Sequence, residues 1–371
     1  MIINRGISFD PHVYTIADLQ KAGSKNMEKS HREFVNEGAM DLITLRDNEE
    51  AYNRYKIRAR VMKDVTNIDM STTIWGKNVA FPFGFSPAAF HKLAHPDGEV
   101  GTSRATAELN VPMVLSNYAN CSLEDVVAQR KQNPYGMQLT LVRDRDITLK
   151  TIKRAEKAGY DAIVLSIDGP VLGMRLNEYR NSFDLPDSMT CPNLEADDSD
   201  TMEGGSRRLE YEDNLDWANV IPWMKANTKL EIWMKGVHTP EDVALAIQHG
   251  LDGVIISNTG GRQLDGVPAT LDSLRDCAPV AKGKIKIAVD GGIRRGSDVF
   301  KAIALGADFC FAGRIPFWGL AYKGQEGVEL ALKILMNELR VTMALAGCKS
   351  VSQINRGHLA ILGLDGALAK L

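Results

Sequence analysis

The chain has no uninterrupted apolar stretch of roughly 18 residues, which argues against a membrane-spanning helix. Its opening residues, MIINRGISFDPHVYT, lack the apolar core of a secretory leader. It also lacks a basic excess. Lys and Arg number 44 against 47 Asp and Glu, for a formal net charge of −3, so neither nucleic acid nor an anionic membrane surface is expected as a partner. Cysteine is scarce: Cys121, Cys191, Cys277, Cys310 and Cys348 are odd in number, far apart and without a CxxC pair. A disulfide framework is therefore not expected, a reducing compartment fits, and no metal site is read. No G-x-G-x-x-G opens the first strand–helix turn, which argues against a doubly wound dinucleotide fold.

What is present is rhythm. Short apolar runs recur at Ala80–Ser86, Val111–Ser116, Gly136–Leu141, Ala162–Ile167, Glu231–Lys235, Gly253–Ser257, Ile285–Asp290 and Phe309–Ala312. Segments of helical spacing lie between them, such as Gly98–Leu109, Ser122–Gln129, Ile147–Ala158, Pro240–His249, Leu271–Cys277 and Ser297–Ala304. Strand–helix alternation repeated eight times predicts an α/β chain closed into a (β/α)8 barrel, the TIM-barrel architecture. The whole of 1–371 reads as a single unit: a helical lead-in over 1–75, the barrel over 76–350 and an insertion over 170–217. The insertion has no good strand or helix and is rich in Asp, Glu, Ser, Pro and Gly over Asp184–Glu212. A long loop after the fourth strand emerges on the C-terminal face, where barrel active sites lie, and is read as a lid; a solvated insertion is the plainer reading. The stretch Glu326–Gly347 predicts the eighth barrel helix.

The strand ends carry the chemistry. Lys235 ends the fifth strand, Ser257-Asn258-Thr259 the sixth and Asp290-Gly291-Gly292 the seventh, while Gly313-Arg314 follows the eighth. Glycines there let backbone N–H groups approach a phosphate, and Arg294 and Arg314 add charge, so a phosphate-bearing cofactor is expected at that corner. Each glycine alone would be a tight turn; the combination with a strand-ending lysine is more specific.

The motifs DVTNIDMSTT (64–73), SPAAFHKLAHPDGE (86–99), SIDGPVLG (166–173), Lys235-Gly236, SNTGGRQLD (257–265), VPAT (267–270) and DGGIRRG (290–296), with 304–308 and Gly313-Arg314, run in family order. On these the chain resembles the FMN-dependent 2-hydroxy-acid oxidases and dehydrogenases, which include glycolate and lactate oxidases. The resemblance spans about residues 30–360. It implies FMN as cofactor, with Pro87, Ala88 and Ala89 against the flavin ring. It implies Ser116, Gln138 and Ser166 at the ring's polar edge, and Lys235 near N1 and the C2 oxygen, where a fixed cation favours electron acceptance. Ser257 would contact the ribityl chain. Asp290, Gly291, Gly292, Arg294, Gly313 and Arg314 would hold ribityl and phosphate. On the substrate side it implies Arg262, with Arg175 beside it, for a carboxylate, and Asp168 to orient a catalytic imidazole.

That imidazole is missing. The family motif reads S-N-H-G, and here the third residue is Thr259, a poor base at neutral pH. Phe34 and Thr140 stand where the family has tyrosines, and Tyr118 where some relatives have tryptophan. Arg262 and Arg175 would draw an anion; the plainer reading is that they salt-bridge to protein or hold the lid. Asp168, beside Arg175, should stay ionised and could itself take a proton. Of the histidines, His91 alone is expected near the flavin, with a structural role the simpler reading. His95 and His249 fit family positions other than the base, His238 flanks the fifth helix, and His12, His31 and His358 lie near the chain ends. Tyr179, Glu210 and Tyr211 in the lid are further candidate bases.

These features predict an FMN-dependent oxidoreductase for an anionic or carboxylate-bearing small molecule other than a simple 2-hydroxy acid, in a specialised biosynthetic setting, with oxygen or another electron acceptor. A non-redox flavin isomerase, dehydratase or decarboxylase, or a flavin-binding pseudoenzyme, are the alternatives. Family resemblance implies a homo-oligomer, a tetramer. The final Ala369-Lys370-Leu371 resembles a peroxisomal address and predicts a peroxisomal location in a eukaryote, cytoplasmic otherwise.

Overall fold

The structure, a computed structural model, describes residues 8–186, 188–194, 210–363 and 366–371. The first seven residues of the lead-in, and 187 and 195–209 of the lid insertion, lie outside the described residues.

The eight apolar runs form the eight parallel strands of a closed barrel. In chain order the strands are β1 (Tyr55–Ile57), β2 (Thr72–Ile74), β3 (Lys77–Val79), β4 (Phe83–Phe85), β5 (Met113–Leu115), β6 (Tyr135–Leu139), β7 (Ala162–Ser166), β8 (Glu231–Val237), β9 (Gly253–Ile256), β10 (Lys286–Val289), β11 (Phe309–Ala312), β12 (Leu359–Leu362) and β13 (Leu368–Lys370). The barrel is β4 through β11, with β11 closing onto β4.

Side chains alternate across a strand, so residues two apart share a face. One set, including Phe85, Leu115, Leu139, Leu165, Met234, Ile256, Val289 and Ala312, packs outward against the helices. The other set fills the barrel with Val114, Val164, Trp233, Ile255, Ala288 and Phe311. Gly84 and Gly136 occupy the matching positions on β4 and β6. The space left at Gly136 is taken by Trp75, whose ring would lie 2.9 Å from a Cβ there. Trp75 sits in the turn of the antiparallel hairpin β2–β3, stacked on Phe311 at 6.1 Å and edge-on to Trp233 at 6.2 Å. The hairpin therefore plugs the barrel's lower end.

Counting two residues up each interior position gives Ser86, Ser116, Gln138, Ser166, Lys235, Ser257, Asp290 and Gly313. The same parity that makes the floor apolar makes the C-terminal rim polar.

The lead-in folds over that rim. It comprises α1 (Ile16–Lys25), α2 (Lys29–Asn36) and α3 (Ile43–Arg54). Thr15 caps α1 by accepting from the Asp18 N–H at 3.0 Å. α3 is fixed to the sixth barrel strand's exit by reciprocal amide bonds between Asn48 and Asn258, at 2.8 and 2.9 Å.

Three expectations need correction. The lead-in is not helical throughout: β1 pairs with β12, and β2–β3 form a hairpin. The last long helix begins at Ile315, not Glu326, and runs to Ala346 with a kink at Lys323–Gly324 that breaks its apolar periodicity. The insertion contains a short helix, Leu176–Arg180. Its C-terminal end gives way directly to a helix, Trp217–Asn227.

The kink is braced by Asp10. Its carboxylate accepts from Lys323 Nζ at 2.6 Å, from Tyr322 Oη at 3.2 Å and from the His12 and Val13 amides at 2.8 and 3.1 Å. The Lys323 hydrogen bond, then the His12 amide, lower its pKa from 3.8 to about 2. A carboxylate with a depressed folded-state pKa stabilises the fold above its unfolded value and loses that contribution as pH falls through the folded value. Asp10→Asn should therefore melt lower than the parent at neutral pH. The gap should close as pH drops from 3.8 toward about 2, followed by thermal unfolding monitored by circular dichroism.

Candidate active site

A cavity of about 510 Å³ opens on the C-terminal end of the barrel. That lies within the roughly 300–1,000 Å³ of small-molecule sites. A larger depression of about 910 Å³ lies at the opposite end, beside Lys282, Lys284 and Lys286. It is away from the face where such barrels assemble catalytic groups.

Five cationic side chains line the upper cavity, Arg175, Lys235, Arg262, Arg294 and Arg314, against three carboxylates, Glu178, Asp184 and Asp290. The excess of positive charge suits a ligand carrying more than one negative group.

One end is built from strand exits. Pro87, Ala88 and Ala89 follow β4, Asp290, Gly291 and Gly292 follow β10, and Gly313 and Arg314 follow β11; all line the cavity. Ser86 Oγ donates to Asp290 Oδ2 at 2.7 Å, and Lys235 Nζ lies 3.6 Å from the same oxygen. At this end of the cavity two buried polar atoms have no hydrogen-bond partner, Asp290 Oδ1 and Arg294 Nε. Gly313 is different in kind from a turn glycine. A Cβ there would meet only Ser86 Cβ, at 3.8 Å, so it would project into open cavity. A missing side chain beside two orphaned polar atoms and two arginines fits a bulky phosphate-bearing group seated against the backbone. Arg314 also acts as a strut, donating to the carbonyls of Val35, Gly260 and Glu37 at 2.8, 3.0 and 2.9 Å. Burial, then the neighbouring Arg294, pushes its pKa down to about 10.

Lys235 is almost fully buried. Its Nζ donates to Ser257 Oγ at 2.9 Å and to Thr259 Oγ1 at 3.3 Å. The Thr259 hydroxyl in turn donates to Asp168 Oδ2. Gln138 Nε2 donates to Thr140 Oγ1 at 3.0 Å and to Ser166 Oγ at 3.1 Å. Ser116 Oγ accepts from the Tyr118 amide at 3.1 Å. Ser116, Gln138, Thr140, Ser166, Asp168 and Ser257 are thus joined into the polar rim but are not on the cavity wall, whereas Phe34, Tyr118 and Thr259 are.

The other end is built by the lid and α2. Arg262 Nη1 donates to the Phe34 carbonyl, its Nη2 pairs with Glu178 at 3.2 Å, and its guanidinium lies 4.6 Å from the Phe34 ring centre. Arg175 donates to the Arg262 carbonyl at 3.2 Å and pairs with Glu178 at 3.3 Å. Glu178 therefore bridges both arginines. Burial first, then the charges of Arg175 and Arg314, push the Arg262 pKa well below its usual value, with Glu178 opposing them. Phe34 stacks on Phe183 at 4.5 Å and tilts against Phe90 at 6.0 Å, giving this end an aromatic wall with Leu172 and Leu185.

None of the seven histidines lines the cavity. His91 is buried against Phe317 at 4.5 Å with Nδ1 3.0 Å from Thr102 Oγ1. Burial lowers its pKa. His31 is edge-on to Phe183, His95 sits beside Asp97, His249 stacks on Trp217 and His358 packs on Phe300, while His12 donates its amide to Asp10. His238 follows β8. Of the lid candidates, Tyr211 lines the cavity 6.0 Å from Tyr118; burial and that neighbour raise the Tyr118 pKa. Tyr179 is exposed, and Glu210 pairs with Arg143 at 3.3 Å.

The residue that the sequence reading overlooked is Glu178. Its signal was local: it lies three residues after Arg175, within pairing distance on one helical turn. Ser86 and Phe183 were overlooked as well.

The sequence profile of FMN-dependent dehydrogenases matches residues 23–361. The chain is 51% identical over 366 residues to a protein named Oxidase FUB9 from Fusarium oxysporum f. sp. lycopersici, covering 97% of this chain and 95% of that one. It is 39% identical over 341 residues to 2-Hydroxyacid oxidase 2 of Bos taurus, covering 92% and 96%. Among solved structures, mandelate oxidase with benzoyl-formic acid superposes with a TM-score of 0.86 at 32% identity, covering 97% of this chain and 100% of that one.

Proposed function

The chain belongs to the FMN-dependent dehydrogenase family, and from that premise we propose that it oxidises a carboxylate-bearing small molecule other than a simple 2-hydroxy acid. It is an FMN-dependent oxidoreductase. FMN supplies an acceptor for two electrons. Gly291, Gly292, Arg294, Gly313 and Arg314 are assigned to its phosphate end, Pro87, Ala88 and Ala89 to the ring, and Lys235 to the fixed cation beside it. The orphaned Asp290 and Arg294 atoms and the Gly313 gap support that assignment.

The observation that carries the substrate reading is the state of Thr259. Its one proton is committed to Asp168, and its oxygen already accepts from Lys235. The remaining lone pair can receive a hydrogen bond from a substrate but cannot keep its proton. An alcohol, which needs a base during oxidation, is poorly served. An amine or an enol is better served, because neither needs an imidazole to lose its proton. Arg262, with Arg175, would take the substrate carboxylate, Glu178 yielding part of its hold on the pair. The aromatic wall of Phe34, Phe90 and Phe183 would receive an apolar arm. Oxygen is the proposed acceptor, in line with relatives named oxidases.

Anaerobic mixing of the FMN-loaded protein with a panel of acids, followed by flavin absorbance, tests this. Carboxylates bearing an oxidisable amine or enol should bleach the flavin, while glycolate, lactate and mandelate should do so slowly or not at all. Rapid bleaching by any of those three would overturn the reading.

A further inference from the structure

His238 stands apart from the cavity, yet it follows two residues after Gly236, whose backbone packs against Asp168, the carboxylate that engages Thr259. β7 and β8 pair in register with Ser166 opposite Lys235, and the Ile167 amide donates to the Lys235 carbonyl at 2.9 Å. Two residues beyond Ser166, Asp168 lies beside Gly236, two residues before His238. The approach is close. A Cβ on Gly236 would lie 2.7 Å from Asp168 Cβ and 2.8 Å from its Cγ, and Gly236 takes a φ of +106°. The register between β8 and β9 also shifts across Lys235 and Val237. This irregularity ends the strand directly beside Asp168.

His238 Nδ1 is buried there and has no hydrogen-bond partner. A buried, unpaired ring nitrogen asks for a reason. Among the described residues, Asp168 Oδ1 takes no hydrogen bond, while Oδ2 is held by Thr259. The charges felt by the imidazole are those of Asp168, Lys235, Asp242 and Asp290. Burial lowers the His238 pKa, Asp168 is the strongest charge acting against that, and Lys235 reinforces it. The ring therefore stays neutral to lower pH than an ordinary imidazole and becomes a cation on acidification.

We infer that His238 is a positioning residue for Asp168, the two forming a charge-coupled pair behind Thr259. With the ring neutral, Asp168 is left to Thr259 and holds its hydroxyl toward the cavity. With the ring protonated, the new cation draws Asp168 and loosens that hold. An imidazole thus still serves this site, one residue removed from the reacting groups.

The test needs no substrate. Histidine side-chain NMR of the FMN-loaded protein is titrated from about pH 5 to 9, with the His238 signal identified by its loss in His238→Gln. In Asp168→Asn the His238 midpoint should move down, and by more than in Asp242→Asn. Thr259→Ala leaves the Asp168 charge unshared and should move the midpoint up. An unchanged midpoint in both Asp168→Asn and Thr259→Ala, or an equal shift in Asp168→Asn and Asp242→Asn, would overturn the pairing. Because the readout is the ring's own titration, its failure is separate from a failure of the substrate reading.

Discussion

A Thr259→His variant should oxidise lactate or mandelate roughly 10²–10⁴-fold faster than the parent, the range that a well-placed general base contributes. Three features support so large a gain. Asp168 already accepts a hydrogen bond from the side chain at 259, so it would orient an imidazole without moving. Arg262 and Lys235 are in place on the cavity wall. The backbone itself favours the exchange. Thr259 has a φ of +50°, a left-handed conformation in which a β-branched residue is strained and histidine is far better tolerated. The variant should therefore fold at least as well as the parent. Anaerobic flavin bleaching measures the rate, and a well-folded, FMN-loaded variant with no gain would show that the substrate end of the cavity has departed from hydroxy acids in more than its base.

Lys235→Met should have the second large effect. Lys235 is 4% exposed and lies 3.6 Å from Asp290, itself 4% exposed. Removing one partner of a buried pair leaves an uncompensated charge, at a cost of about 3–5 kcal/mol. Asp290 would keep only Ser86. Two losses follow. The melting temperature and FMN content should fall, and sulfite binding, titrated by flavin absorbance, should weaken about 10²–10³-fold, the usual consequence of removing one stabilising donor at a centre of developing charge. Sulfite affinity within a few-fold of the parent, in protein that still holds FMN, would refute the role assigned to Lys235. Lys235→Arg keeps the charge and separates the electrostatic loss from a packing loss.

The barrel was legible because parallel strands covered on both sides read as short continuous apolar runs. All eight runs, from Phe83 to Ala312, became strands. The polar rim was legible for a related reason: each strand's apolar run ends abruptly at its C-terminal exit, so Lys235 and Asp290 stood out. The lid helix was not. Leu176–Arg180 spans barely a turn and buries none of its residues. It is held by tertiary contacts, Arg262 on Glu178 and Glu33 on Asn181, that no local pattern encodes. The strand pairing of β1 with β12 joins residues about 300 positions apart, beyond the reach of periodicity. The kink braced by Asp10 hid the first turns of the final helix by breaking its apolar spacing at Lys323–Gly324. For the same reason the sequence showed that Thr259 replaces a base but not that Glu178 occupies both arginines.

Trp75, seated between Phe311 and Trp233, stoppers the barrel from below, so the cavity and the hairpin occupy opposite ends of one axis. Leu172, Phe183 and Tyr211 line that cavity from the segment after the fourth barrel strand. The barrel therefore fixes the depth of the cavity, and the segment after the fourth strand sets its breadth.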